Sequence, residues 1–510
     1  MEGRNHSSAV FIAAGSVSRM KADLLNCSRD LLASVQPRAA IRSLSGGTQR
    51  KTPHIGVIGA GLAGLRCAEV LIDGGARVTV LEALDRIGGR IHQSRLLDQS
   101  VDMGPNWVHR TDDNPVLKIA QKTNTQLCAA QDTMHVFESD GTIMPPDLAA
   151  SGLETVWEFI EDAFKYSNEA CLDISPDLTL KDFFRKKLAE SSLSDHQKAR
   201  VLLLGEMWGS FIGDSWERQS LRWFWLEECL DGENHAPIIQ HVAAKVLTHA
   251  TLHLSTLVTN ITTIETTTSD PKITVTTTNG TFSFDEVVVA VPLDCLKSSK
   301  PIFDPPLPPA ILRAVANASY SSLEKVYIAF PTAFWDSASD SSSEPFPSFA
   351  HFLHPEYVPT SQTHFNIEMV PLSSPSIFGP AATPTLLLYT HNPCAAHVSS
   401  LIRNFPPASE EYFTVLNDFF RPYYSRLPNY IAGAADCTPV AILATDWHAD
   451  DLAGNGAYTN FQVGEGDGAE EVRLDEDVRA MRAGLPERGV WFAGEHTAPF
   501  VALGTTTGAY

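Results

Sequence analysis

The feature that most constrains this chain is a six-residue turn, Gly59-Ala60-Gly61-Leu62-Ala63-Gly64, set directly after the apolar run His54 to Ile58. The run carries β-branched residues and reads as a buried strand. Apolar positions Leu62, Leu65, Ala68, Leu71 and Ile72 then recur at helical spacing as far as Gly74-Gly75, and Arg77 to Leu81 reads as a second strand closing on Glu82. Together they form a βαβ unit of about 30 residues with an acid at its end. Gly59 serves a tight turn, Gly61 a close backbone approach to a pyrophosphate, and Gly64 the packing of helix on strand, with Ala63 in the same motif. The helix N-terminus offers free N–H groups and the positive end of its dipole to an anion. Glu82 can accept hydrogen bonds from a ribose. A lone glycine-rich turn carries little, but strand, helix, strand and acid in this order predict an α/β, Rossmann-like dinucleotide-binding fold. The unit alone does not separate NAD from FAD.

The continuation does. Asp85-Arg86-Ile87-Gly88-Gly89-Arg90 resembles the second dinucleotide motif of the glutathione-reductase-like flavoproteins, in which Arg90, behind a Gly-Gly turn, can neutralise a pyrophosphate. Further matches are Val101-Asp102-Met103-Gly104-Pro105-Asn106-Trp107-Val108-His109, Val287 to Leu296, Leu323-Glu324-Lys325-Val326-Tyr327, Trp447 with Gly456-Ala457-Tyr458, and Trp491-Phe492-Ala493-Gly494-Glu495-His496-Thr497. On these segments the chain resembles the flavin-dependent amine oxidases, a group that includes polyamine oxidases, monoamine oxidases and lysine-specific histone demethylases. The likeness leans toward fungal polyamine-oxidase-like members and covers most of residues 53–510.

The resemblance implies an FAD-binding Rossmann-like domain of the glutathione-reductase type interleaved with an α+β substrate domain. The FAD-binding parts would be 53–130, 251–330, which includes the start of the substrate sheet, and 446–510; the substrate parts would be 131–250 and 331–445. It also implies site residues. Gly104, Pro105, Asn106, Trp107, Trp447 and Gly494 would contact FAD, Glu495 its ribityl or phosphate region, Val258 the adenine through its backbone, and Thr506 and Thr507 the isoalloxazine. Lys325 would hold a water against flavin N5. Tyr458 would form one wall of an amine-orienting cage whose other wall, aromatic in many relatives, aligns with Thr505. Ala457 replaces the cysteine that tethers FAD in monoamine oxidases, so non-covalent FAD is expected. His109 would contact a substrate nitrogen, since a neutral imidazole can accept a hydrogen bond from an ammonium or amine; Arg110 stands where the family usually has glycine, and a cation beside a polyamine tunnel is unhelpful unless Asp112 or Asp113 pairs it.

The implied reaction is loss of hydride from the α-carbon of a neutral amine to flavin N5, hydrolysis of the imine, and reoxidation by O2 with release of hydrogen peroxide. The expected partners are a small cationic amine and O2. Composition agrees: 60 acidic against 38 basic residues give a net charge of -22, which disfavours a phosphate-binding surface for nucleic acid and favours cationic ligands. Alternatives within the family are a histone-lysine-demethylase-like oxidase, suggested by Thr505, and an L-amino-acid oxidase, for which a carboxylate-binding Arg is not evident. An inactive flavin-binding or interaction protein is the alternative of another class.

Residues 1–52 carry eight basic and three acidic residues and read as a disordered leader or a mitochondrial transit peptide. Eight cysteines without a C-x-x-C pair suggest a reducing compartment and no metal site. The expected location is therefore cytoplasmic or organellar rather than secreted, without a peroxisomal tripeptide. No apolar run is long enough to span a membrane. The sequence stops at Gly508-Ala509-Tyr510, where the family continues into a helix facing the flavin; on that ground weakened flavin retention is expected. Periodicity predicts helices at 153–166, 180–188 and 196–211 and strands at 251–263, 272–278, 281–291 and 326–330. The Ser- and Pro-rich stretch 331–384 reads as long loops.

Overall fold

The computed structural model describes residues 10–12, 52–95, 100–108, 114–123, 125, 127–129, 133–227, 236–263, 273–336, 346–359, 362–407, 409–464, 472–499 and 503–510. Val10–Ile12 forms a short strand lying parallel to Trp107–Val108 on one side and Leu127–Ala129 on the other. Residues 1–9 and 13–51, with His109, Arg110, Asp112 and Asp113, lie outside the described residues.

The βαβ unit forms as the sequence predicts. His54–Ile58, the helix Leu62–Asp73 and Arg77–Leu81 build the centre of a five-stranded parallel sheet in the order Val490–Phe492, Glu286–Val289, His54–Ile58, Arg77–Leu81, Thr251–His253. Its strands come from the start, middle and end of the chain. Apart from the edge strand Thr251–His253, they are largely buried on both faces, which explains their continuous apolar runs. The helix Ala236–His249 covers one side, with Ile238, Ile239, Val242 and Val246 packed among Val57, Leu65, Val78 and Val80.

A second, six-stranded sheet runs Ala441–Ala444, Leu323–Ala329, Thr385–His391, Ile367–Pro371, Phe349–Phe352, Met134–Phe137, antiparallel except for its last pair. Helices Pro146–Ala170, Leu180–Glu190 and Asp195–Gly205 form a separate apolar cluster beside it. Thr179 and Ser194 start the latter two helices with reciprocal capping boxes. The fold is thus α/β, a Rossmann-like nucleotide-binding portion interleaved with an α+β portion.

Three expectations need correction. The predicted strand 251–263 is two strands, Thr251–His253 in the parallel sheet and Val258–Thr263 in a four-stranded sheet, separated by Ser255 at φ +50°. The stretch 281–291 splits likewise into Gly280–Phe284 and Glu286–Val289, in different sheets. Residues 331–384 are not merely loops: Phe349–Phe352 and Ile367–Pro371 are interior strands of the six-stranded sheet, and every residue of the latter is buried. Serines and prolines in the flanking segments obscure these short strands in the composition.

Candidate active site

A cavity of about 690 Å³ opens between the two sheets, within the roughly 300–1,000 Å³ of small-molecule sites. One end begins at the glycine turn. Gly59 adopts φ +103°, and a Cβ there would lie 2.7 Å from the Ala290 carbonyl oxygen. A Cβ on Gly64 would lie 2.0 Å from the carbonyl oxygen of Gly59, so only glycine lets the helix sit this close to the strand. Gly61 is different: a Cβ there would meet nothing within 4 Å, because the residue faces the open cavity. The helix starts at Gly61 with no side-chain cap and its first backbone bond runs from Leu65 N to the Gly61 carbonyl, leaving donors of the first turn for an anion.

Glu82 lines the same end and is buried, its carboxylate accepting the N–H groups of Ala60 at 2.5 Å and Leu84 at 2.8 Å. Burial raises its pKa, and those bonds only partly oppose the shift. Arg90 donates to Tyr320 Oη at 2.8 Å, to the Ala457 carbonyl at 2.5 Å and to Glu495 Oε1 at 3.2 Å. Burial works against its charge, but Tyr320 and Glu495 more than offset it and hold the guanidinium ionised. One residue thereby ties the beginning of the chain to two segments near its end.

Farther in, strand Leu323–Ala329 carries Lys325, buried, with Nζ donating to the carbonyls of Asp102, at 3.0 Å, and Gly104. Burial lowers its pKa to about 7. Tyr327 donates to the Asp102 carbonyl at 2.6 Å and Trp447 Nε1 to that of Met103 at 3.1 Å. Tyr389 accepts from Trp107 Nε1 at 2.9 Å and donates to Asn106 Oδ1 at 2.7 Å. The segment Asp102 to Trp107 is therefore held from several sides by groups of the six-stranded sheet and its edge. Tyr458 is fixed by a 2.9 Å bond from its hydroxyl to the Phe211 carbonyl. Thr505 caps the short helix Thr506–Ala509, its side chain accepting from Gly508 N at 2.9 Å.

Of the residues singled out from the sequence, Gly59, Gly61, Ala63, Glu82, Arg90, Gly104, Pro105, Asn106, Trp107, Val258, Lys325, Trp447, Tyr458, Gly494, Glu495, Thr505 and Thr506 all line this cavity. Gly64 and Thr507 do not. Gly64 sits behind the turn as packing, and Thr507 Oγ1 is buried and has no hydrogen-bond partner among the described residues, so Thr506 alone of that pair lines the cavity. The wall also includes groups the sequence reading missed: Arg86, Glu227, His351, Glu368 and Tyr389, with Trp157, Trp208 and Phe211 as an aromatic wing. A lone acid inside the apolar run Ile367–Pro371 was the available signal for Glu368.

The comparisons with known proteins decide the family. A profile described as "Flavin containing amine oxidoreductase" matches residues 62–510. The chain belongs to this family. Among curated proteins it is 27% identical over 320 residues to "Probable polyamine oxidase 4" of Arabidopsis thaliana, a match covering 59% of this chain and 62% of that protein. It is 26% identical over 300 residues to human "Lysine-specific histone demethylase 2", covering 55% of this chain and 35% of the relative. The chain thus spans less than two thirds of these relatives. In fold it is similar to a cyclohexylamine oxidase from Brevibacterium oxydans (TM-score 0.62, 19% identity, 90% of this chain and 96% of that one). A redesigned putrescine oxidase gives the same TM-score at 17% identity and the same coverage.

The cofactor of the family is FAD, and this cavity fits it. The uncapped helix start, the open face of Gly61 and the acid at the strand end are the parts a dinucleotide needs. Cys295 is the one cysteine among the described wall residues; burial raises its thiol to about 11, which suits a non-covalent cofactor. Among the described residues no helix is long and apolar enough to cross a membrane.

Proposed function

We propose that this chain is an FAD-dependent oxidase of a polyamine or related cationic amine, with O2 as electron acceptor. The observation that carries the reading is one continuous cavity, walled at one end by the glycine turn, Glu82 and Arg90 and at the other by Lys325, Tyr458 and Thr505. Bound there, FAD would supply a two-electron acceptor that takes hydride from the amine α-carbon and passes the electrons to O2, giving hydrogen peroxide. The stretches 53–130, 251–330 and 446–510 would form the FAD-binding domain, and 131–250 and 331–445 the substrate domain.

The side chains have separable tasks. The first turn of the helix Leu62–Asp73 offers N–H groups to the pyrophosphate and Glu82 accepts from the adenosine ribose. Lys325, with a pKa near 7, is a neutral amine in a large fraction of molecules at working pH, so its Nζ can hold a water and take a proton from the amine being oxidised. Tyr458, fixed through Phe211, presents its ring to the amine as one wall of a cage. Thr505 leaves the other wall narrow in bulk, which also admits a substituted or peptidyl amine. The net charge of -22 draws cations toward the opening.

The test is peroxide release with spermine, spermidine, an N-acetylated spermine and a peptide carrying dimethyl-lysine. Oxidation of the polyamines supports the reading. Oxidation of the peptide alone replaces it with a demethylase-like activity, and a flavin-loaded protein silent toward all four overturns it.

A further inference from the structure

We infer that Glu368 anchors a second, cationic nitrogen of the substrate, so that the site selects diamines and polyamines over monoamines; this rests on the amine-oxidase reading above. The register of the six-stranded sheet places Lys325 opposite Tyr389, Tyr389 opposite Glu368, and Glu368 opposite His351. Cross-strand partners project to one face, so these four residues form a single row across four adjacent strands. All four line the cavity. Neighbouring strands lie about 4.8 Å apart, which sets Glu368 roughly 10 Å along the row from Lys325. A chain-like amine with its reacting carbon near Lys325 would carry a second nitrogen toward Glu368.

What surrounds Glu368 argues that its partner comes from the cavity. Glu368 as a residue is 9% exposed, and among the described residues no hydrogen bond opposes the desolvation of its carboxyl. Its one ion-pair-range neighbour is His351, with Nδ1 3.8 Å from Oε2. Burial lowers the His351 pKa to about 4, so that imidazole supplies no charge at neutral pH. Lys325 does not serve it either, because Nζ is committed to the carbonyls of Asp102 and Gly104. Glu324, a fully buried acid one residue from Lys325, shows what a structural carboxylate looks like: it accepts from Thr445 Oγ1 and from His448 N at 2.7 Å. A buried carboxyl without donors is unfavourable, and an ammonium with three N–H groups is the partner that would satisfy it. The rings of Trp157, Trp208 and Phe211, packed on one another at the cavity wall, can take the methylenes and add cation–π attraction.

Putrescine and n-butylamine share four carbons and differ by one nitrogen, so they isolate this contact. Dissociation constants for the holoenzyme come from the concentration dependence of flavin reduction under nitrogen, or from calorimetry where no reduction occurs. The wild-type protein should bind putrescine at least about tenfold more tightly than n-butylamine. In both Glu368→Gln and Glu368→Leu that ratio should fall to near one. An unchanged ratio in the variants, or no preference in the wild type, overturns the inference. Loss of the folded, flavin-loaded state in both variants also overturns it, since the carboxyl would then be structural. Should neither amine reduce the flavin, the calorimetric ratio still decides the role of Glu368, while the amine-oxidase reading stands or falls on the four-substrate test above.

Discussion

Lys325 Nζ donates to the carbonyl oxygen of Asp102 at 3.0 Å, joining positions 223 residues apart. The same oxygen accepts the hydroxyl of Tyr327 at 2.6 Å. Two side chains on one face of a strand thereby fix the segment that leads to Asn106 and Trp107, and burial leaves the lysine with a depressed pKa of about 7. The hydrogen bonds and the depressed pKa at this position have one cause: the amine is enclosed by protein that offers it carbonyl oxygens and, among the described residues, no carboxylate bond.

Lys325→Met removes the group proposed to take the proton. Amine-dependent flavin reduction should slow about a hundredfold, the scale of general acid–base contributions, with flavin content retained. Because the pKa is lowered, the neutral form prevails above about pH 7, so the wild-type rate should rise with pH through that value. Stopped-flow reduction across pH 6 to 9 should show this rise and its loss in the variant.

Gly61 and Gly64 should respond oppositely to alanine. A Cβ at Gly64 would strike the Gly59 carbonyl, so Gly64→Ala should cost about 1–3 kcal/mol or more in denaturant unfolding. Gly61→Ala adds its methyl to open space. It should keep the apo-protein melting temperature and lose flavin, read as the ratio of flavin to protein absorbance.

Tyr389→Phe removes the hydroxyl that accepts from Trp107 Nε1 and donates to buried Asn106. Unmade buried hydrogen bonds cost about 1–3 kcal/mol, and urea unfolding of the apo-protein should show a loss of that order.

Glu368→Gln should stabilise the apo-protein in a pH-dependent way. Burial raises the pKa of Glu368 from the ordinary glutamate value to about 7, so the folded chain holds this proton where the unfolded chain has released it. The wild-type contribution is therefore full at low pH and declines as pH rises from about 4.5 to 7. The melting-temperature gain of the variant should be near zero at pH 4 and largest at pH 8.

The nucleotide-binding half was legible because its chemistry is local: the turn, the helix and Glu82 lie within one run of sequence, each glycine answering to a separate steric demand. Arg90, Lys325 and Glu495 were reached only through family resemblance. Nothing in their own neighbourhoods announces that Arg90 meets Glu495 across 405 positions. The row from Lys325 to His351 was invisible for a related reason. It exists only once strands from four separate stretches are in register, and two of those strands lie in a segment whose prolines and serines read as loop. Strand 251–263 misled in the opposite sense, because β-branched residues continue through the point where the chain leaves one sheet for another.

The most direct measurement is the visible spectrum of the flavin-loaded protein mixed with spermidine under nitrogen. The account expects the oxidised flavin bands to bleach within the mixing experiment and to return, with peroxide, when air is admitted. Flavin that stays oxidised at saturating spermidine would contradict it.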